Sequence, residues 1–259
     1  FNKKFMPPVV TDTGNSEDIH DYLEVSVEDT GLCPRYCARM VKNIKIAPSP
    51  VWMQRRLAAS GIRPINNIVD ITNYVMEEYG QPMHAFDYAY LEGDQINVRR
   101  ANEGERIVTL DEKEFTLNSS NLVICDGVKP VALAGIMGGL NSEIKDTTTE
   151  VMFESAKFAR DNIRKSSRAL GQSSDSSAMY AKGVYEYTTV MAMKRALHLV
   201  EELGCGKVSS TQLEGSTGNS CCAFYRRFSS HRPSTGMNLP CRFRHTARIW
   251  IPTRMWRRK

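Results

Sequence analysis

The amino-acid sequence predicts an α+β fold with mixed and antiparallel sheets and flanking helices. Two patterns of apolar residues with helical spacing lie between residues 49 and 80, and short apolar segments separated by turn residues occupy residues 94–140. These helical and extended segments are grouped along the chain, whereas in a doubly wound parallel sheet they alternate. The composition, with 41% hydrophobic and 24% charged residues, is typical of a globular domain.

The first strands are predicted after residue 20. Residues 1–20 form a polar segment with scattered prolines and a glycine, which we interpret as a linker or the end of a preceding domain. Leu23, Val25 and Val27 then alternate with more polar residues, as in a half-buried strand. A second strand is predicted within residues 36–46.

A helix is predicted between Ser49 and Gly61, because suitable residues lie at both ends. Ser49 can cap the N-terminus, and Pro50 suits the first helical position. Gly61 suits the left-handed conformation that follows many helices.

A second helix is predicted to follow a cap at Asn66 or Asn67 and to end at Gly80. Its apolar residues recur at spacings of three and four, namely Ile68, Ile71, Val75, Met76 and Tyr79. The chain then continues as a turn or an extended segment, because Pro82 disfavours a helical conformation at the residue before it.

The region after this helix is predicted to be rich in strands. Short apolar segments bounded by turn residues occur at residues 95–99, 106–110, 115–117, 122–125, 131–136 and 151–153. A helix over residues 159–170 is expected to end at Gly171. The last helix is expected to end at Gly204, with one apolar face in the core and an opposite face carrying Lys194, Arg195 and Glu201.

The charge is distributed unevenly along the chain. No acidic residue follows Glu214, whereas nine arginines and one lysine do; the rest of the chain has 24 basic and 29 acidic residues. The sequence pI of about 8.8 is therefore no argument for nucleic-acid binding by the main body. We interpret residues 214–259 as a basic tail outside the fold, either an out-of-frame continuation or a natural RNA-binding arm.

The cysteines and the apolar segments predict a reduced protein of the cytoplasm. The seven cysteines are irregularly spaced, and neither a signal peptide nor a stretch of about 18 apolar residues is present, so no disulfide framework and no membrane contact are expected. The cysteines and histidines after residue 220 lack the paired spacing of a zinc finger. We predict no metal site.

Three features are candidates for a catalytic or binding site. They are His84 in a predicted loop, Glu154 between a strand and a helix, and the glycine-containing segment 135–139. Each also has a purely structural interpretation. A loop histidine is often a surface residue, a glutamate near a helix start can stabilise the helix dipole, and glycines form turns. Taken alone, these residues do not identify a function.

Longer motifs connect these residues. The chain contains GIRPINNIVDITNYVM at residues 61–76, GQPMHAFD at 80–87, CPRY at 33–36, AGIMGG at 134–139, ESA at 154–156 and LG at 170–171. In these motifs residues 21–213 resemble the editing domain of bacterial phenylalanyl-tRNA synthetase beta subunits. The resemblance ends where the basic tail begins.

The resemblance implies hydrolysis of tyrosine wrongly esterified to the tRNA for phenylalanine. It assigns the site to Thr72, Asn73, His84, Gly138, Glu154 and Ser174. Glu154 is expected to accept a hydrogen bond from the tyrosine hydroxyl, so that a bound phenylalanine would leave it unpaired. His84, Thr72 and Asn73 are expected to orient the attacking water and the terminal ribose, and the backbone at Gly138 is expected to approach the substrate closely.

The same resemblance implies the partners. In the complete synthetase an alpha subunit charges the tRNA with phenylalanine, using ATP and magnesium. No cofactor is expected within the present chain, which contains no phosphate-binding motif. The expected partners are the tRNA for phenylalanine and the alpha subunit.

The sequence departs from the family pattern between Met179 and Tyr185. Met179, Ala181 and Tyr185 occupy positions that are usually charged in the family, and Ser174 replaces a usual threonine. Loss of a buried ion network would loosen packing beside the site. Two alternatives to editing therefore stay open: a non-catalytic module that binds tRNA or a subunit, and a nonfunctional product of a truncated gene.

Overall fold

The computed structural model describes residues 7–8, 10, 18–209 and 213–215. In this part of the chain the fold is α+β, as predicted, with five α-helices, twelve β-strands and three short 3-10 helices. The predicted tail lies outside the described residues from residue 216 onward, as does most of the predicted linker at residues 1–20. None of the described helices is long and apolar enough to cross a lipid bilayer.

The first sheet is mixed and has five strands. In spatial order these are β1 (Glu24–Val27), β4 (Gln95–Arg100), β7 (Leu122–Cys125), β8 (Pro130–Leu133) and β9 (Met137–Gly138). β1 runs parallel to β4, and the other neighbours are antiparallel. The predicted strands at residues 95–99 and 122–125 are confirmed, and the segment predicted at 131–136 forms β8 and the following turn.

The second sheet is antiparallel. Its strands, in spatial order, are β11 (Lys207–Val208), β2 (Arg35–Lys42), β10 (Val151–Lys157) and β3 (Met83–Asp87), and β12 (Leu213–Gly215) also pairs with β2. β2 ends before the predicted residue 46, because Asn43 adopts a left-handed φ of 53°. A separate hairpin contains β5 (Arg106–Val108) and β6 (Glu114–Thr116).

The second sheet separates two apolar cores, because successive side chains of a strand point to opposite faces. On one face pack α1 (Val51–Ala59), α2 (Asn67–Tyr79) and α5 (Thr188–Glu202), which meet residues such as Phe153. On the other face lie the first sheet, α3 (Arg160–Leu170) and α4 (Asp175–Lys182), which share a core with Met152 and Ala156.

The helix ends agree with the predicted capping, with one exception. The side chain of Asn66 caps α2, and Gly80 ends it with a left-handed φ of 66°. α1 begins at Val51, with Pro50 at the N-cap position and no side-chain cap, so the predictions that Ser49 caps this helix and that Pro50 is its first residue are both wrong. The Ser49 hydroxyl instead donates to the carboxylate of Asp70. That carboxylate is buried in α2 and needs hydrogen-bond donors.

Two features of the later helices differ from the predictions. α4 was not expected, because its eight residues include few apolar side chains; the Ser174 side chain caps it by accepting from the Ser177 amide at 3.1 Å. Arg195, expected on the exposed face of α5, is buried and forms an ion pair with Glu78 of α2 at 2.8 Å. The long arginine stem covers apolar surface while its charge is matched.

The turn between β8 and β9 requires glycine at Gly135. This residue has a φ of 67°, and a Cβ there would lie 2.8 Å from Phe158 and 3.0 Å from Tyr180. We predict that Gly135→Ala lowers the free energy of unfolding by about 2 to 5 kcal/mol, from left-handed strain plus overpacking. Gly104→Ala is the matched control, since Gly104 has a φ of 78° and no atom within 4 Å of an added Cβ. Equal losses in urea denaturation would contradict the overpacking argument.

Candidate functional site

A cavity of about 350 Å³ lies where α2, β3, β10, the β8–β9 turn and the start of α4 meet. This volume is in the range of small-molecule binding sites. The cavity is lined by all six site residues predicted from the sequence, namely Thr72, Asn73, His84, Gly138, Glu154 and Ser174. The structure therefore brings the predicted residues together, while their individual roles stay predictions.

His84 and Glu154 are direct cross-strand neighbours. They are register partners on β3 and β10, so both side chains project from the same face of the second sheet. His84 lies in β3 (Met83–Asp87), which pairs with β10, so of the two predicted conformations for this segment the extended one is confirmed and the loop around His84 is wrong. Glu154 likewise lies in the middle of β10 and not at the junction with a helix.

Glu154 is buried in a mainly apolar part of the cavity. Only 5% of the Glu154 surface is exposed. The Tyr36 hydroxyl donates a long hydrogen bond of 3.4 Å to Oε2 of Glu154. Burial raises the pKa of the Glu154 carboxyl to about 8, although the Tyr36 hydrogen bond opposes this shift. At neutral pH the site therefore holds mostly the neutral acid, which accepts through its carbonyl oxygen and donates through its hydroxyl.

His84 presents a neutral imidazole to the cavity. Its ring meets Phe86 edge-on, with centroids 4.5 Å apart. Burial lowers the pKa of His84 to about 4, so at neutral pH one ring nitrogen donates and the other accepts. Within the described part of the chain, neither nitrogen has a hydrogen-bond partner. The ring is thus able to hold a water or a substrate group.

Gly138 leaves the space that the imidazole occupies. A Cβ at Gly138 would lie 2.5 Å from Cε1 and 2.7 Å from Nε2 of His84, and 3.0 Å from Leu110. The Gly138 carbonyl already accepts from the Leu110 amide at 3.0 Å. Because Gly138 has no side chain, the imidazole of His84 fits beside it. The same feature would allow the expected close approach of the substrate.

Thr72, Asn73 and Ser174 complete the polar lining in different ways. The Thr72 hydroxyl donates to the carbonyl of Val69 at 2.7 Å, and the Ser174 hydroxyl donates to the carbonyl of Ile136 at 2.6 Å. Both hydroxyl protons are therefore engaged by backbone. The Asn73 side chain has no hydrogen-bond partner among the residues that the structure describes, so its amide is free for a ligand.

Tyr36 was missed by sequence reasoning as a contributor to the site. It lies within the CPRY motif, but only the strand pairing reveals that its hydroxyl reaches Glu154. The apolar lining by Leu110 and Met137 was also missed. Alternating apolar residues are common in strands and carry no signal that distinguishes a cavity from a core.

The described residues contain no pair of groups arranged as an activated protein nucleophile at this cavity. The buried Cys33 thiol near Glu154 has a pKa well above its ordinary value, mainly because of burial, and it does not line the cavity. A buried thiol of this kind is unreactive. Among the described residues, no group of three or more His, Cys, Asp or Glu side chains is arranged to hold a metal ion.

The segment from Met179 to Tyr185 forms the end of α4 and the residues that follow it. Tyr180, the second residue of this segment, is buried and donates its hydroxyl to the carbonyl of Ala156 at 2.8 Å. Tyr185 is 66% exposed, so the expected loss of a buried charge does not apply at this position. Met179 and Ala181 are half-buried on α4.

Comparisons with known proteins identify the family of this chain. The family model described as the B3/4 domain matches residues 32–205. The phenylalanine-tRNA ligase beta subunit of Syntrophus aciditrophicus is 49% identical over 207 residues, which are 80% of this chain and 26% of that protein. The corresponding subunit of Geobacillus kaustophilus is 50% identical over 202 residues, which are 78% of this chain and 25% of that protein.

This chain therefore spans about a quarter of the length of the curated relatives it matches. A solved structure was also found, that of an N-terminal fragment of the phenylalanyl-tRNA synthetase beta subunit from Pyrococcus horikoshii. It is 12% identical and has a TM-score of 0.49, with 86% of this chain and 63% of that chain covered.

Proposed function

The chain belongs to the B3/4 domain family, and from this premise we propose that it hydrolyses tyrosine misattached to the tRNA for phenylalanine. The curated relatives are named as phenylalanine-tRNA ligase beta subunits, so a misacylated form of that ligase's tRNA is the natural substrate class. A synthetic site shaped for phenylalanine rejects a molecule with one added hydroxyl poorly, which makes a second, hydrolytic site useful.

One observation carries the proposal: polar groups without protein partners converge on one cavity. Among the described residues, the His84 ring nitrogens, the Asn73 amide and Oε1 of Glu154 have no hydrogen-bond partner, and all three residues line the cavity. Asn73 and His84 are half-buried, and none of these atoms is among the fully buried atoms that lack a partner, so each is accessible to a ligand. A bound ligand with matching donors and acceptors supplies the missing partners.

Glu154 is proposed to select tyrosine. The phenol of the substrate forms a hydrogen bond with Oε1, accepting from it in the neutral acid and donating to it in the carboxylate, while Oε2 remains with Tyr36. A phenylalanyl group in the same place removes water from Oε1 and returns no hydrogen bond, at a cost of about 1 to 3 kcal/mol. The site therefore spares the correctly charged tRNA.

His84 is proposed to position the water that attacks the ester carbonyl. Because burial keeps its imidazole neutral, one nitrogen can accept the proton of that water as the bond to the carbonyl carbon forms. The ester bond then breaks, and the ribose oxygen takes that proton from the imidazolium of His84 and leaves as a hydroxyl. The Asn73 amide is proposed to bind the ribose or the carbonyl oxygen, and the Thr72 hydroxyl oxygen, which can still accept a hydrogen bond, is proposed to help orient the water or the ribose.

We further propose that this hydrolysis serves a complete synthetase. The chain would then act beside an alpha subunit that charges the tRNA using ATP and magnesium, and it needs no cofactor of its own. The described cysteines, Cys33, Cys37, Cys125 and Cys205, are free and buried, in agreement with the reducing cytoplasm as its compartment.

The direct test compares hydrolysis of tyrosyl and phenylalanyl esters of the same tRNA by the full 259-residue chain. Glu154→Ala is expected to lower the ratio of the two kcat/KM values about 30-fold, corresponding to about 2 kcal/mol of lost hydroxyl recognition. Glu24→Ala is the control, since Glu24 is an exposed strand glutamate in the other sheet. A parent chain that hydrolyses neither ester would refute the proposed function.

A non-catalytic tRNA-binding module is the second candidate. The specific observation in its favour is the exposed pair of Tyr185 and Tyr187, whose ring centroids lie 5.0 Å apart beside α4. Exposed aromatic rings can stack on unpaired bases. Binding of tRNA with no hydrolysis of either ester would favour this candidate over editing.

A further inference from the structure

Tyr36 lies directly behind Glu154, away from the cavity. On β2 and β10, Glu154 is opposite Ala38 and Tyr36 is opposite Ala156, so Tyr36 and Glu154 are diagonal neighbours on one face of the sheet. Tyr36 is fully buried and is not among the residues that line the cavity. It therefore touches Glu154 but cannot touch a ligand in the cavity.

The hydrogen bonds of these two side chains are complementary. Among the described residues, Glu154 Oε2 is the partner of the Tyr36 hydroxyl, at 3.4 Å, and Oε1 of Glu154 has none. One carboxyl oxygen is thus held from behind and the other is left for the cavity. A hydrogen bond to one oxygen defines the plane in which the second oxygen points.

From this arrangement we propose that Tyr36 is a positioning residue for specificity: it holds Oε2 of Glu154 so that Oε1 faces the phenol of the substrate. This inference rests on the proposed editing function and names a residue that acts through Glu154. Glutamate has three rotatable side-chain bonds, whereas the tyrosine ring is fixed in the core by its neighbours. The rigid partner therefore sets the orientation of the flexible one.

The other groups around Glu154 do not perform this task. His84, which lies opposite Glu154 on the neighbouring strand β3, faces the cavity and forms no hydrogen bond with Glu154. The Tyr180 hydroxyl is engaged by the Ala156 carbonyl at 2.8 Å, and the Cys33 thiol is paired with the Arg35 carbonyl at 3.5 Å. Tyr36 is the hydroxyl that the structure assigns to Glu154.

The kinetic test is Tyr36→Phe in the full chain. The ratio of kcat/KM for tyrosyl over phenylalanyl ester is expected to fall about fivefold, as for the loss of one neutral hydrogen bond. The change should appear in KM for the tyrosyl ester, with kcat for both esters retained, because His84 is untouched. Tyr88→Phe is the matched control, since the Tyr88 hydroxyl bonds the Tyr22 carbonyl and Asp94 outside the cavity.

A spectroscopic test does not depend on activity. The carbonyl stretch of the protonated Glu154 acid, assigned by its loss in Glu154→Gln, should move to higher frequency in Tyr36→Phe. The pKa of Glu154 read from this band should rise, since the Tyr36 hydrogen bond is a contribution that lowers it. Tyr36→3-fluorotyrosine, a stronger donor of nearly the same shape, should move the band in the opposite direction and serves if Tyr36→Phe does not fold.

The outcomes separate the two proposals. An active, selective parent chain whose selectivity and band are unchanged by either Tyr36 variant overturns the role of Tyr36 and leaves the editing function standing. An equal loss of selectivity in Tyr88→Phe also overturns it, because general loosening then explains the effect. A parent chain that hydrolyses neither ester overturns the editing function and this inference together.

Discussion

Replacing Gly138 with alanine is expected to lower kcat/KM for hydrolysis of the tyrosyl ester by about 100-fold, the effect of misplacing a catalytic group by about 1 Å. The added Cβ would lie 2.5 Å from Cε1 of His84, so the imidazole must move away. The protein should remain folded, with a loss of about 1 to 3 kcal/mol in the free energy of unfolding. Gly138 does not have a positive φ, and the ring that must move lines a cavity.

A double variant decides whether Gly138 acts through His84. His84→Ala alone is expected to lower kcat/KM by about 100-fold or more, as for removal of a group that positions and deprotonates water. Once the ring is absent, Gly138→Ala meets no imidazole, so the double variant should be about as active as His84→Ala alone. If the double variant instead loses the product of the two single effects, the residues act independently. That result would contradict the steric argument.

The ends of the long helices could be predicted from the sequence because they depend on short-range contacts. Asn66 bonds an amide three residues away, and Gly80 and Gly171 each have a left-handed φ just after a helix. α4 was not predicted, because its few apolar residues give little helical periodicity. Its cap at Ser174 is a local signal but was not enough to indicate a helix. Tyr180 is its one large, fully buried anchor within the described structure.

The site was predicted through family resemblance, because the contacts that build it are not local. His84 lies beside Glu154 because β3 pairs with β10. Tyr36 lies beside Glu154 because β2 pairs with β10. A one-residue change in either register would turn Glu154 toward the opposite face. Burial of Glu154 and His84, which determines their protonation, follows from this packing and could not be estimated from composition.

The buried carboxyl of Glu154 is expected to make the protein less stable as the pH rises. Its pKa is raised to about 8 in the folded chain by burial, whereas in the unfolded chain it keeps an ordinary value near 4.5. Its contribution to stability is full below the unfolded value and is lost as the pH rises toward 8, because the unfolded state then releases the proton first. The free energy of unfolding is expected to fall by about 5 kcal/mol over this range.

Glu154→Gln keeps the shape of the side chain without the titrating proton. Urea denaturation across this pH range measures the free energy of unfolding of both chains. The difference in favour of Glu154→Gln should grow by about 5 kcal/mol between pH 4.5 and 8. The difference between the two chains isolates Glu154 from His84, whose lowered pKa of about 4 weakens both chains equally as the pH falls below 6.5. A constant difference across the range would mean that Glu154 titrates as an exposed glutamate does, and selection of the phenol by a desolvated carboxyl would then lose its physical basis.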